Sequence, residues 1–305
     1  MRIMIIVCVF LIPIFAVEMI IPIPDSIHYE KEKALLGKKL YLDARLSKDG
    51  KVACATCHNL ATYGVDNKAI SLGVNGIVDD PFNTPTSFNA VFNLSQFWDG
   101  RANSLKEQAK GPITNPKEMA FSEEEAIAVV QSDEAYMEEF EKLYKGEVSL
   151  ETIADAIAEF EKTLLTPNSP FDRYLKGDQN AISESAKRGY ESFKANGCIS
   201  CHHGIGIGGN MYQKVGIFTP YNTPQLGRYD VTKKEEDKYF FKVPSLRNID
   251  KTAPYFHDGS VINLETTIQL MALYQLGTIL ETDEINDLVA FLQSLTGEYK
   301  DALHQ

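Results

Sequence analysis

Apolar positions along this chain repeat with helical rather than strand-like spacing. In residues 150–165, Ile153, Ala154, Ile157, Phe160 and Leu164 recur at three- and four-residue intervals, the stripe of a helix that buries one face. Residues 29–42 place Ala34, Leu35, Leu40 and Tyr41 in a similar register. Ser122 followed by Glu125 is a capping box and predicts a helix start. Ser183 opens another helix, which runs towards residue 198. Thr282 begins a last one, with Ile285, Leu288, Val289 and Leu292 on one side and an end near Gly297. No segment alternates strongly enough to predict a strand. The stretches between are rich in Gly, Pro and Asn and read as long loops.

The first residues are different in kind. Residues 3–17 are apolar behind Arg2, with a small residue at Ala16, the pattern of a secretory signal over residues 1–16. The other reading is an uncleaved anchor, but the stretch is short for a span and Pro13 interrupts it. No later segment is apolar enough to cross a bilayer. The chain has 305 residues and a formal charge of −12. That length suits two domains. The acidity excludes a nucleic-acid binder of the usual basic kind and suits either solubility or the steering of a basic protein partner.

Chemistry enters with Cys54-Ala55-Thr56-Cys57-His58 and Cys198-Ile199-Ser200-Cys201-His202. C-x-x-C-H is the attachment pattern of c-type haem. Two thiols three positions apart can add to the two vinyl groups of one porphyrin, and the next residue carries its imidazole beneath the iron. Of five cysteines only Cys8 lies outside the motifs. A redox dithiol would not need the histidine, and a shared zinc site would join motifs 144 residues apart. Two haems are therefore expected, with His58 and His202 as proximal ligands. Attachment of this kind takes place outside the bacterial cytoplasm, so the periplasm is the expected compartment. In residues 204–209, four glycines are read as letting the backbone approach the second porphyrin.

The two halves repeat one another. Residues 83–89 (NTPTSFN) correspond to 242–248 (KVPSLRN), and 97–101 (FWDGR) to 256–260 (FHDGS), at one offset of 159. Each half reads as haem motif, loop, Pro-x-x-x-Asn, aromatic-x-Asp-Gly, helix. The fold class is thus mainly α, two cytochrome c-like haem domains related by internal duplication, with boundaries expected at 17–166 and 167–305. Trp98, the only tryptophan, corresponds to His257. No histidine lies between His58 and His202, where the only methionines are Met119 and Met137. For the second iron the candidates are Met211 and Met271. An iron with one protein ligand keeps a position open for chemistry, whereas an iron with two suits electron transfer.

Over nearly the whole mature length the chain resembles the bacterial di-haem cytochrome c peroxidases. The resemblance rests on both haem motifs, on residues 83–86, on 96–101 (QFWDGR), on Glu118-Met119 and on 254–259 (PYFHDG). It implies reduction of hydrogen peroxide to water with electrons from a small cytochrome c or cupredoxin. It implies a peroxidatic haem on Cys54, Cys57 and His58, and a high-potential haem on Cys198, Cys201 and His202 with Met271 as sixth ligand. It makes Trp98 the bridge between haems, Glu118 the distal acid, Gln108 its neighbour and His257 a support beside the second haem. It places calcium at Asn83, Thr252 and Pro254. Family members are often dimers, although no motif here marks the contact. One departure stands out: many members carry a histidine in the loop after the first haem, and residues 71–76 (SLGVNG) have none. The first haem is then expected to be open in the oxidised protein. The rival readings are a di-haem electron carrier, a peroxidase-like sensor or developmental protein with little turnover, and a related oxidase that modifies a partner protein, whose second haem takes tyrosine in place of methionine; Tyr274 keeps that last reading in play.

Overall fold

In the computed structural model, residues 18–76 and 82–304 are described; the expected signal segment and Cys8 lie outside the described residues. The helices are α1 (Lys31–Leu42), α2 (Cys54–Cys57), α3 (Leu105–Thr114), α4 (Glu123–Gln131), α5 (Glu134–Tyr144), α6 (Leu150–Glu161), α7 (Pro170–Leu175), α8 (Glu184–Ala195), α9 (Tyr229–Thr232), α10 (Leu264–Met271) and α11 (Thr282–Gln293). The expected starts at Ser122 and Ser183 are in place, and Ser149 caps α6 as well: each accepts from the backbone N–H three residues on. Two three-residue strands, β1 (Tyr212–Lys214) and β2 (Phe240–Lys242), pair antiparallel. They escape a periodicity search because three residues make barely one alternation.

Each half is built on a crossing between its first and last long helix. In the first half α1 crosses α6, and a Cβ on Gly37 would stand 1.8 Å from the Ala156 carbonyl oxygen. In the second half α8 crosses α11, and a Cβ on Gly189 would stand 1.9 Å from the Asp287 carbonyl oxygen. Only glycine lets the backbones come that close. Around each crossing lies a separate hydrophobic core, one centred on Leu36, Leu40, Phe140, Ile153 and Phe160, the other on Phe171, Tyr190, Phe291 and Leu295. The chain ends cross over. Ile20 belongs to the second core, and Leu303 to the first. Among the described residues no helix is long and apolar enough to cross a membrane.

The duplication is visible in backbone detail. Asn89 and Asn248 both take the left-handed conformation, at φ 60° and 62°, and so do Phe97 and Phe256, at 66° and 64°. The bridge Gln96–Ala102 has its counterpart in Tyr255–Val261. Across the junction, the Asn83 N–H donates to the His257 carbonyl and the Lys242 N–H to the Trp98 carbonyl, both at 2.8 Å. These two bonds are images of one another under the offset. The side chains of Asn89 and Asn248 meet on a single hydroxyl, Thr166 Oγ1, at 2.8 and 2.9 Å. The halves therefore face each other about a pseudo-twofold axis, and Trp98 touches its own counterpart His257 at 6.2 Å between ring centres, edge to face.

Candidate haem sites

Each motif opens on a cleft. The first, of about 760 Å³, is walled by Cys54, Cys57 and His58 on one side and by Gln108 of α3 and Glu118 on another. The His58 Nδ1–H donates to the Gly64 carbonyl at 3.2 Å. A carbonyl can only accept, so the proton is on Nδ1 and Nε2 is left for a metal. Burial lowers the affinity of this imidazole for a second proton. Glu118 is held by Asn115, whose Nδ2 donates to Oε1 at 2.7 Å. The Ser71–Gly73 stretch borders the same cleft and is tied down by the Val74 N–H bond to the Glu118 carbonyl, at 2.8 Å. Met119 reaches the cleft from the hydrophobic core.

The second cleft is larger, about 2140 Å³, and runs from Cys198, Cys201 and His202 to Trp98 at the junction. The His202 Nδ1–H donates to the Ile207 carbonyl at 3.3 Å, again leaving Nε2, and burial takes the ring's pKa down to about 4. Met271, the last residue of α10, lines this cleft; Met211 does not. Tyr274 does not line it either and packs instead against Tyr221, at 5.1 Å. Trp98 borders the cleft with its Nε1–H donated to the Asn83 carbonyl at 2.9 Å. His257 is buried, stacked on Phe241 at 4.3 Å, with Nε2 3.0 Å from the Thr223 hydroxyl.

Both clefts fit a covalently held haem. Each presents a pair of free thiols and one imidazole pre-oriented through Nδ1. Burial holds the Cys57 and Cys198 thiols up to about 11, so both rest as neutral thiols at neutral pH. Among the described residues no three His, Cys, Asp or Glu side chains converge on one metal-sized point, which excludes the shared zinc site.

Comparison with known proteins agrees. A family model described as di-haem cytochrome c peroxidase matches residues 31–180, and one described as cytochrome c matches residues 186–296. The cytochrome c551 peroxidase of Nitrosomonas europaea is 48% identical over 287 residues, covering 93% of this chain and 86% of that protein. The cytochrome c peroxidase Ccp of Escherichia coli is also 48% identical, over 92% of this chain and 62% of that longer protein. A solved structure of a MauG-like protein associated with microbial copper homeostasis superposes with a TM-score of 0.81 at 26% identity, covering 98% of this chain and 99% of that one.

The chain belongs to the di-haem cytochrome c peroxidase family. It is a haem-dependent oxidoreductase, and the family implies two c-type haems, one per motif. Two features escaped the sequence reading. Glu161 lines the first cleft, buried, with Oε2 unpartnered, and burial raises its pKa to about 8. The signal was present: Glu161 falls one helical turn after Ile157 on the apolar stripe. Lys242, the counterpart of Asn83, is buried in the second cleft, and burial takes its pKa down to about 8 against the opposing charge of Asp99. One expectation is corrected. The 204–209 glycines do not line the second cleft; a Cβ on Gly208 would stand 2.1 Å from the Pro244 carbonyl oxygen, so the loop is small in order to pack on protein.

The expected calcium residues Asn83, Thr252 and Pro254 all line the second cleft near the junction. The Asn83 Nδ2 amide donates to the carbonyl oxygens of Lys68 and Ala69, at 2.9 and 3.1 Å.

Proposed function

We propose that hydrogen peroxide is reduced to water in the first cleft, with electrons entering by the second and crossing at Trp98. The observation that carries this reading is the placement of acids: Glu118 and Glu161 line the first cleft, whereas among the described residues no carboxylate lines the second, which offers Met271 instead. Peroxide cleavage needs proton transfer, and electron relay does not. Cys54, Cys57 and His58 would hold a haem whose iron would supply the site for O–O cleavage. Glu118 takes the proton from the near oxygen and returns it to the leaving one. The Gln108 amide orients the substrate, and Asn115 fixes the carboxylate. Met271 lines the same cleft as His202 and would give a haem there a thioether ligand, which favours a high potential.

An electron carrier has no use for acids in one cleft alone, and Met271 lining the second cleft while Tyr274 packs on Tyr221 outside it supports methionine over tyrosine. The electron donor is a small cytochrome c or cupredoxin. Ile217, on the rim of the second cleft, is half exposed and the adjacent Phe218 more so, an apolar landing for such a partner. The compartment is the periplasm, calcium at Asn83, Thr252 and Pro254 braces the junction, and the chain divides after Thr166. With no histidine in residues 71–76, the first haem is open in the oxidised state. An EPR spectrum of the oxidised holoprotein should show one high-spin and one low-spin ferric signal; two low-spin signals would refute the open site. Glu118→Gln should lower turnover by about 10²–10⁴-fold at unchanged haem content. Near-normal turnover would remove Glu118 from the mechanism.

A further inference from the structure

A file of rings leads away from the junction. Trp98 lies 6.2 Å from His257, His257 lies 5.3 Å from Tyr221, and Tyr221 lies 5.1 Å from Tyr274. Trp98 borders the second cleft; Tyr221 and Tyr274 do not, and both are partly exposed. Two rings in the file thus differ in what they can do with a proton. The Trp98 Nε1–H is donated to a backbone carbonyl, which is far too weak a base to keep it. The Tyr221 hydroxyl donates to the carboxylate of Asp258 at 2.8 Å, with the Ser260 hydroxyl 3.0 Å away.

That difference matters for one-electron oxidation. A phenol is oxidised easily only when its proton leaves with the electron, and the proton needs an acceptor already in place. Burial raises the Tyr221 pKa above its ordinary value, opposed by the Ser260 hydroxyl and reinforced by Asp258. The phenol therefore stays protonated at rest and parts with its proton only on oxidation. Asp258 follows His257 directly in the chain, so the acceptor is built into the same turn that touches Trp98.

We propose that Tyr221 is a redox-active residue which gives one electron by way of His257 and Trp98 and passes its phenolic proton to Asp258. Reducing one peroxide to two waters withdraws two electrons and takes up two protons. When no donor protein is present, both electrons must come from the protein itself. Haem iron supplies one of them and Tyr221 the other: the Tyr221 O–H bond breaks, the electron leaves towards Trp98, the proton rests on Asp258 and a neutral tyrosyl radical remains, while the two protons taken up by peroxide come from solvent. A returning donor electron and the Asp258 proton restore the phenol. The oxidant is peroxide, so the inference rests on the peroxidase reading above.

The test mixes oxidised holoprotein with one equivalent of peroxide and no donor, freezes the mixture within milliseconds and records EPR, with peroxide consumption measured in parallel. A tyrosyl signal is expected, its hyperfine pattern collapsing in protein labelled with ring-deuterated tyrosine. Tyr221→Phe, which keeps the ring, should abolish it. Asp258→Asn should slow its formation by roughly 10²-fold through loss of the proton acceptor. Peroxide consumed with no tyrosyl signal, or with a signal unchanged in Tyr221→Phe, overturns the proposal alone. Peroxide left unconsumed overturns the peroxidase reading and the proposal with it.

Discussion

Arg247 gives the sharpest stability prediction. Its side chain is 1% exposed and that of its partner Asp172 is fully buried. The guanidinium reaches Asp172 Oδ1 at 2.7 Å, the Ile205 carbonyl at 2.9 Å and the Ile21 carbonyl at 2.9 Å. It thereby ties the entering chain, the haem-loop and the N-terminus of α7 to one point. Arg247→Met would strand a carboxylate without water and leave two carbonyls unmatched. An orphaned buried charge costs about 3–5 kcal/mol. With about 4 kcal/mol as the working figure, the melting point should fall by about 8–16 °C. Removing both charges in Arg247→Met/Asp172→Leu should cost about 2–3 kcal/mol less than the sum of the single changes. The assay is urea unfolding of the holoprotein followed by circular dichroism, with the slope checked for constancy. A single-variant loss below about 1 kcal/mol, or strict additivity, would refute the reasoning. Ile205 lies two residues from Ile207, whose carbonyl orients His202. The low-spin EPR signal of the second haem should therefore broaden in Arg247→Met, while the first haem's signal stays as it was.

Further outcomes are expected elsewhere. Gly189→Ala should destabilise the second half by at least about 1–3 kcal/mol, because the new methyl meets backbone rather than a side chain that can move; a melting point equal to wild type would contradict the crossing. Met271→Leu should lower the second haem's potential in a redox titration, whereas Met211→Leu should leave it alone. Glu161, with a native pKa of about 8, binds a proton between pH 4.5 and 8 that the unfolded chain has released. Its contribution is fully present below pH 4.5 and lost as pH rises through 8, so Glu161→Gln should gain on wild type across that window, by up to about 4–5 kcal/mol. A difference between the two proteins that does not vary with pH would show Glu161 to be hydrated.

What could be read from the chain follows from how local each signal is. Both haem motifs and the helices at 122, 150, 183 and 282 are written in consecutive residues, as stripes and caps, and they stand where expected. The duplication was legible because one offset of 159 holds from residue 83 to residue 101. Tertiary exchanges carry no such mark. Nothing around Ile20 or Leu303 says that each packs into the other half's core. Arg247 and Asp172 lie 75 residues apart in sequence, and only the fold makes them a pair. The 204–209 loop was assigned to the wrong neighbour for the same reason: its glycines announced a close approach but not what would be approached.

The contact between Trp98 and His257 has a consequence for how such a molecule could arise. In a dimer of two identical chains, a residue beside the twofold axis meets its own copy, so any substitution there is made twice and must suit itself. Joining the two copies in one polypeptide removes that constraint. Each position on the axis becomes two independent loci, and one can become an indole while the other becomes an imidazole. The ancestral twofold still sets the backbone, down to matching left-handed residues, but the chemistry across it is heterotypic. A direction of electron flow is something only an asymmetric pair can encode, and tandem fusion is the step that makes the asymmetry heritable.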